Sequence, residues 1–173
     1  MTDPRPFTTA DLYDERGEQL MSCPRQFLDL GGTAAFTGPV RTVRCFQDNG
    51  LVKAVLNSPG EGAVLVVDGH GSMGTALMGD MIAESAVRNG WAGVIINGPV
   101  RDRVALAGLP LGVKALGSNP RKSAKDGVGE QDVPVVIEGV TFRPGRTVWT
   151  DEDLTEPWPP VDVSMAARDP FGN

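Results

Sequence analysis

Residues 79–102 read GDMIAESAVRNGWAGVIINGPVRD, which predicts a helix, a turn and a buried strand. The helix would begin at Asp80 and have Gly90 at its C′ position, where glycine is favoured. A helix followed by a strand can bring its two outer ends to one edge of a sheet. We therefore expect Asp80 to lie near Arg101 and Asp102 at a helix N-terminus. That combination suits an anionic substrate and a hard metal ion.

Apolar runs on both sides of this segment predict further strands. Residues 63–67 form a continuous apolar run bounded by glycines, as expected for a strand covered on both faces. Further strands are predicted at 39–46, 94–96 and 111–116, and in a hairpin of 133–137 with 140–142. Helices are predicted at 8–20, with Thr8 or Thr9 as N-cap, and after Asp48 as far as Leu56. These elements predict an α/β domain whose mixed sheet has parallel βα units in the middle and hairpins at the edges.

Composition limits the class of protein. A chain of 173 residues with 40% hydrophobic residues is most simply one folded domain. Its net charge of -6 argues against nucleic-acid binding through phosphate neutralisation. The two cysteines, Cys23 and Cys45, form no C-x-x-C motif and are expected to be reduced. No secretory h-region and no apolar run long enough to span a bilayer is seen, so we expect a cytoplasmic protein.

Two polar segments stand apart from the predicted elements. Residues 117–130 form a glycine-bearing polar loop that is long enough to be functional or mobile. From Asp151 the chain becomes acidic and proline-rich. We therefore predict a single domain over residues 1–150, followed by a C-terminal tail over 151–173 that is poorly ordered or lies on a neighbouring subunit.

A glycine motif resembles a nucleotide fingerprint but lacks its context. Residues 69–74 read GHGSMG and follow an apolar strand, as in dinucleotide-binding folds. A helix starting there would meet Gly79 within five residues, and the next strand is followed by Asn97 rather than an acidic residue. We expect a turn that shapes some other anion site. His70, the only histidine, lies in this turn, so no serine-histidine pair elsewhere and no multi-histidine zinc site can form within one chain.

The acidic and basic residues of the first segment allow a structural and a chemical interpretation. Asp80 can be a helix cap, and Arg101 with Asp102 can be a surface ion pair or the cap of a short helix. Taken together, the three residues favour a binding or catalytic site over a purely structural role. Arg101 can hold a carboxylate or stabilise an enolate through its forked donors. Asp80 and Asp102 can hold a divalent cation through direct and water-mediated oxygens.

The order of Asp80, twenty intervening residues and then Arg101-Asp102 resembles the D-X20-R-D signature of the 4-hydroxy-4-methyl-2-oxoglutarate aldolases. These belong with the RraA proteins, regulators of ribonuclease activity. The compact length and residues 45–49 are more similar to the RraA branch, whereas the two aspartates are more similar to the aldolase branch. The resemblance runs from about residue 9 to residue 148 and includes residues 27–32, 42–49, 66–69, 97–102 and 139–142.

The resemblance implies a β/β/α fold like that of the swivelling phosphohistidine domain. It implies trimers, sometimes paired into hexamers, with active sites at subunit interfaces. The implied reaction is retro-aldol cleavage of a small 2-oxo acid to give pyruvate, with oxaloacetate decarboxylation alongside. The implied cofactor is a divalent cation, Mg²⁺ or Mn²⁺.

Site roles follow from the same resemblance. Asp102 is implied as the direct metal ligand, and Asp80 as the group that orients metal-bound water and relays a proton. Arg101 is implied to bind the keto-acid oxygen and stabilise the enolate. The substrate carboxylate would be cradled at the helix start by the backbone amides of Gly79, Met81 and Ile82.

The sequence departs from the family near its C-terminus. Family members usually continue with a glycine and an apolar strand, whereas residues 154–160 read LTEPWPP. In the longer aldolases a glutamate of a neighbouring subunit helps to complete the metal shell, and Glu130 and Glu152 are the candidates here. The alternative function is an RraA-type regulator that binds ribonuclease E or an RNA helicase without catalysis. The acidic charge and compact length favour that alternative.

Overall fold

A mixed sheet with four parallel strands at its centre organises the protein, whose computed structural model describes residues 6–153 and 155–158. The strands run in the order β1-β5-β4-β3-β2-β9-β10, with β6 paired to β2, and β7 with β8 forms a second sheet. The strands are β1 (Leu28–Asp29), β2 (Phe36–Arg44), β3 (Val64–Asp68), β4 (Gly93–Val100), β5 (Gly112–Ser118), β6 (Glu130–Gln131), β7 (Val135–Ile137), β8 (Val140–Phe142), β9 (Thr147–Thr150) and β10 (Thr155–Trp158). The helices are α1 (Thr9–Arg16), α2 (Gly50–Leu56), α3 (Asp80–Arg88) and α4 (Arg103–Ala107), and Gly17–Gln19 form a 3-10 turn.

The central strands are covered on both faces, as their apolar runs predict. Every residue of β3 and β4 is buried. Alternate side chains of a strand point to opposite faces. Leu65 and Val67 pack in a core with the helices, whereas Val64 and Val66 pack in a second core with the β7–β8 hairpin. The result is a layer of helices, the main sheet and a small sheet, the mixed α/β class that the sequence predicts.

The β7–β8 hairpin does not lie where the sequence predicts. Its strands and the turn at Glu138-Gly139 form as predicted, because both turn residues adopt positive φ, as a tight hairpin connection requires. The prediction that hairpins extend the edges of the main sheet is wrong for this one. Its alternate residues Val135 and Ile137 are buried against the face of the sheet. A strand with one apolar face buries more apolar surface by packing on the face of a sheet than by pairing at its edge.

The helices form close to their predicted positions. Thr8 caps α1 by accepting the amide of Asp11 (3.1 Å), but the helix ends at Arg16 because Gly17 adopts φ +53°. Helix α3 begins at Asp80, and Gly90 follows its C-cap with φ +78°. The segment after Phe27 contains the short strand β1, which pairs antiparallel with β5.

The start of α1 and the residue after β9 meet beside strand β5. The carboxylate of Asp151 accepts the backbone amide (2.8 Å) and hydroxyl (2.7 Å) of Thr9, at the start of α1. The buried ammonium of Lys114 donates to the backbone carbonyl of Asp151 and to the carboxylate of Asp29 (2.6 Å). Asp151 is buried, so the packed structure continues past residue 150.

Residues 155–158 belong to the segment that was expected to be an irregular tail. They instead form β10, which pairs antiparallel with β9. The part of the predicted tail over residues 159–173 lies outside the described residues, and the division of the chain at residue 150 stays a prediction.

Both cysteines are free and buried. Desolvation raises the pKa of Cys45 to about 12, helped by the charges of Asp48 and Asp68. Among the described residues no helix is long and apolar enough to cross a membrane.

We expect Asp151→Ala to destabilise the protein by about 2–4 kcal/mol. The change leaves the buried groups of Thr9 without their acceptor, and an unsatisfied buried polar group is costly. Urea unfolding followed by circular dichroism measures the effect. The exposed Asp153→Ala is the matched control and should stay within about 0.5 kcal/mol of the parent. Equal stabilities for the two variants would contradict the role assigned to Asp151.

Candidate functional site

Two connections at the carboxyl edge of the sheet converge on the start of α3. After β3 the chain runs through residues 69–79 without a helix and then enters α3. Backbone bonds tie this loop to the end of β4, where Leu77 donates to Pro99 (2.9 Å) and Arg101 donates to Met78 (3.0 Å). Because ligands of parallel α/β sheets bind outside the carboxyl ends of the strands, this is the expected place for a site.

Asp80, Arg101 and Asp102 meet at this point. The backbone amide of Asp80 donates to Asp102 Oδ2 (3.1 Å), and Arg101 Nε lies 3.4 Å from the same oxygen. Arg101 Nη1 also donates to the carbonyl of Pro120 (3.4 Å), so the guanidinium is held from two sides. The sequence therefore predicted correctly that these three residues are neighbours.

Gly79 makes this close approach possible. A Cβ atom at residue 79 would lie 2.7 Å from Asp102 Oδ2 and 3.2 Å from Arg101 Cγ. Real Cβ atoms essentially never lie within 3.0 Å of such an atom, so any larger residue would push the Asp102 carboxylate away. Gly79, whose contact with substrate stays a prediction, thus leaves room for the two charged side chains.

Asp102 occupies a sparsely populated backbone conformation. Its φ of +61° and ψ of 44° are left-handed, which is uncommon for a residue with a side chain. Such strain is often found at functional positions, where the surrounding structure maintains it. Here the hydrogen bond from the Asp80 backbone amide and the contact with Arg101 hold the carboxylate in place.

The pKa of Asp102 lies below its ordinary value. The hydrogen bond from the Asp80 amide is the largest cause, and the guanidinium of Arg101 adds to it, while desolvation acts in the opposite direction. All of the favourable contacts stabilise the charged form. Asp102 is therefore a carboxylate at neutral pH, the form that a metal ligand needs.

The amides at the start of α3 are partly engaged within the protein. Met81 donates its amide to Asp80 Oδ1 (2.8 Å), and the Asp80 amide is directed at Asp102. A substrate carboxylate bound by the amides of Gly79, Met81 and Ile82 would replace Asp80 Oδ1 as the acceptor of the Met81 amide. All three residues line the cavity described next.

A cavity of about 330 Å³ opens beside these groups. It extends along α3 from its N-terminus and is closed by α2 and by the loop between β5 and β6. Besides Gly79–Ile82, Arg101 and Asp102, its walls are formed by Asn49, Lys53, Asn57, Ala76, Met78, Ser85, Arg88, Lys122, Ser123 and Lys125. The sequence interpretation missed Lys53, Arg88, Lys122 and Lys125, although the 117–130 loop was recognised as long enough to be functional.

The carboxylates fit a hydrated hard cation better than an all-protein cage. Among residues 6–153 no three histidine, cysteine, aspartate or glutamate side chains are clustered as metal ligands. Mg²⁺ uses one or two carboxylates and keeps several waters, so Asp102 with Asp80 nearby is a sufficient donor pair. Within the described residues neither Glu130 nor Glu152 lines the cavity, and Glu130 pairs with Arg44.

The glycine motif at residues 69–74 does not lead into a helix, in agreement with the objection raised from the sequence. His70 has φ +59°, and its ring packs against that of Phe46 with centroids 6.1 Å apart. Its amide donates to Asp68 Oδ1 (2.9 Å), and His70 is not among the residues that line the cavity. This part of the chain turns the backbone toward α3 and lacks the helix start that a pyrophosphate group would need.

Comparison with known proteins identifies the family. The RraA-like family, described as Aldolase/RraA, matches residues 9–153, so the chain belongs to this family. The structure of the RNA-processing inhibitor RraA from Thermus thermophilis is 45% identical, with a TM-score of 0.86 over 90% of this chain and 94% of that one. Streptomyces coelicolor RraAS2, an unusual member of the RNase ES inhibitor RraA family, is 30% identical, with a TM-score of 0.70 over 92% and 80%.

A third similar structure carries a different description. It is described as an S-adenosylmethionine:2-dimethylmenaquinone methyltransferase from Geobacillus kaustophilus and is 42% identical, with a TM-score of 0.87 over 91% of this chain and 98% of that one. The chain resembles that protein in fold and length. The family description nevertheless names aldolases and RraA, and the glycine motif here lacks a following helix.

We expect Asp102 to titrate below the ordinary aspartate value of about 3.9. A depressed folded-state pKa contributes stability above the unfolded pKa, and this is lost as pH falls through the folded value. In Arg101→Ala the midpoint should rise only in part, because the Asp80 amide is the larger cause. Carboxyl-carbon NMR titration measures both midpoints, with Arg143→Ala as the control. A midpoint at or above the ordinary value in the parent protein would refute the assigned contacts.

Proposed function

We propose that the protein is a divalent-metal-dependent lyase that releases pyruvate from a small 2-oxo acid, by retro-aldol cleavage or by decarboxylation of oxaloacetate. The observation that supports this most is the meeting of Asp80, Arg101 and Asp102 at the start of α3 beside a cavity. Membership of the Aldolase/RraA family supports the same reaction class.

The groups in the cavity have complementary roles in this proposal. Asp102, with Asp80 beside it, would hold Mg²⁺ or Mn²⁺, which when bound withdraws negative charge from the oxygens of the 2-oxo acid. Arg101 would donate to the keto oxygen, where negative charge develops during the reaction. The start of α3 would hold the substrate carboxylate, because backbone amides and the helix dipole at a helix N-terminus favour an anion.

The bond changes balance without any further reactant. For oxaloacetate, the C3–C4 bond breaks, carbon dioxide leaves, and the electron pair stays on the pyruvate fragment as an enolate. A proton delivered to C3 by water then completes pyruvate. In a retro-aldol reaction the leaving fragment instead becomes a carbonyl compound, and its hydroxyl proton passes through water toward Asp80. Arg101 stabilises the enolate oxygen in both cases.

We expect the parent protein to release pyruvate from oxaloacetate in the presence of Mg²⁺ and to lose this activity with EDTA. Arg101→Ala should reduce kcat by about 100-fold or more, because removing one preorganised donor to a developing oxyanion has effects of this size. A coupled lactate dehydrogenase assay measures the rate, and Arg143→Ala supplies a control at an exposed cation that does not line the cavity. Equal rates for the parent and Arg101→Ala would exclude the proposal.

A second function is favoured by the relatives. Two of the similar structures are described as RraA inhibitors of RNA processing or of an RNase. In this chain, α1 and the turn after it expose Asp11, Asp14, Glu15 and Glu18, with Arg16 as the basic residue among them. An acidic outer surface of this kind suits a basic segment of an RNA-degrading enzyme. Because the cavity and α1 are separate, both functions can coexist.

We expect the protein to inhibit cleavage of a model RNA by ribonuclease E and to bind that enzyme after digestion of RNA. Asp11→Asn combined with Asp14→Asn and Glu18→Gln should weaken binding at least tenfold at low salt, because the interaction depends on charge. Glu61→Gln with Glu84→Gln is the control for exposed acids elsewhere. Undiminished binding by the α1 variant would exclude this surface, and a parent protein that does not bind would exclude the second function.

A further inference from the structure

Asn119, the residue after β5, connects three segments of the chain through hydrogen bonds. Its side-chain amide donates to the backbone carbonyls of Met73 (2.7 Å) and Gly74 (3.2 Å). Its Oδ1 accepts the backbone amide of Arg121 (3.0 Å), and its own backbone amide donates to the carbonyl of Val100 (3.0 Å). The loop before α3, the end of β4 and the segment after β5 are therefore held together at this residue.

One of these bonds fixes the peptide unit that contacts Arg101. The N–H that Asn119 accepts belongs to the peptide between Pro120 and Arg121. The carbonyl of the same peptide accepts Arg101 Nη1 (3.4 Å). A peptide unit is planar, and in its usual trans form the N–H and the C=O point in opposite directions. Fixing the N–H on Asn119 therefore aims the carbonyl away from Asn119 and toward the guanidinium.

The local sequence favours this arrangement. An asparagine whose side chain accepts the amide two residues ahead forms an Asx turn. Pro120 stiffens the turn, because its ring fixes φ and it has no backbone N–H. A carbonyl whose own peptide N–H is already hydrogen-bonded is also a stronger acceptor, because hydrogen bonds in a chain polarise one another. Asn119 thus both orients and strengthens the acceptor for Arg101.

Arg101 depends on such support because open space lies on two sides of it. It lines the cavity beside α3, and it also lines a cleft of about 820 Å³ to which Asn119 and Pro120 contribute. Its side chain is 33% exposed. Arginine has many rotamers of similar energy, so a partly exposed guanidinium keeps one orientation only where the protein restrains it.

The restraints on Arg101 act at two of its three nitrogen atoms. Nε faces Asp102 and Nη1 faces the Pro120 carbonyl. A guanidinium is planar, so fixing two nitrogens also sets the direction of the third. Nη2 forms no hydrogen bond within the part of the chain that the structure describes, so its donors remain for a ligand. Loss of the contact at Pro120 would leave Nε as the single restraint.

We infer that Asn119 is a positioning residue for Arg101 and acts through the peptide unit between Pro120 and Arg121. It holds the guanidinium in the orientation in which Arg101 donates to the developing enolate oxygen. Asn119 is not among the residues that line the cavity, so its effect on a bound substrate is transmitted through Arg101. The catalytic consequence rests on the proposed function, whereas the orientation of the guanidinium does not.

NMR of the Arg101 side chain tests the inference without an activity assay. In Asn119→Ala the Arg101 Nε–H should exchange with water about fivefold faster or more, because the guanidinium loses its restraint at Nη1. Asn89→Ala is the matched control, since the Asn89 side chain also donates to two backbone carbonyls, those of Leu56 (3.2 Å) and Ser85 (2.8 Å), at the C-terminal end of α3. It should leave the exchange at Arg101 within about twofold of the parent.

A kinetic cycle tests the same inference in the lyase reaction. Asn119→Ala should lower kcat for oxaloacetate about tenfold with little change in KM, because the contact that it disturbs forms in the transition state. In the Arg101→Ala background the same change should alter kcat by less than about twofold, since the group that Asn119 positions is already absent. Asn119→Asp should keep kcat within about threefold of the parent, because aspartate also accepts the Arg121 amide although it cannot donate to the loop before α3.

Three results would overturn the inference. Unchanged exchange at Arg101 in Asn119→Ala would show that the guanidinium is oriented without Asn119. Equal losses of kcat in the parent and Arg101→Ala backgrounds would indicate a purely structural role. An Asn119→Asp variant as impaired as Asn119→Ala would assign the effect to the contacts with the loop before α3.

The two measurements separate this inference from the proposed function. If the parent releases no pyruvate, the lyase is rejected, and the exchange of the Arg101 Nε–H still decides whether Asn119 positions the guanidinium. Pyruvate release with unchanged exchange in Asn119→Ala rejects only the positioning role.

Discussion

The burial of β3 and β4 on both faces is the constraint from which the architecture follows. Every residue of these strands is buried, so helices must cover one face and other chain segments must cover the opposite one. Parallel neighbours on each side require crossover connections, which place every strand-to-helix junction of the central sheet at one edge. The cavity lies at that edge, beside the loops that follow β3 and β4.

At this edge, electrostatics and backbone geometry act on the same atoms. The carboxylate of Asp102 receives the amide at the start of α3 and the guanidinium of Arg101, and both contacts require the absence of a side chain at Gly79. The left-handed backbone of Asp102 aims its side chain back toward the helix instead of along the strand. A site of this kind is preorganised, since its charged groups are held before any ligand arrives.

The sequence predicted most of the central elements because their signals are local. The apolar run before Asp68, the glycine after α3 and the Glu138-Gly139 turn each reflect a conformational preference of a few residues. Asp80, Arg101 and Asp102 were found through their spacing along one helix and one strand. The hairpin's position and the pairing of β10 were not predicted, because they depend on which distant surface a short strand covers. The burial of Asp151 was missed for the same reason.

The lining of the cavity marks the boundary between what the sequence and the tertiary structure decide. Lys53, Arg88 and Lys122 lie far apart in sequence, in segments whose local patterns describe solvent-exposed positions. The sequence alone determined the type and chain order of the central strands and helices and the proximity of Asp80 to Arg101 and Asp102, since these follow from short-range chemistry. Only the tertiary structure decided that α2, α3 and the β5–β6 loop enclose one basic cavity, because convergence of separated segments depends on packing.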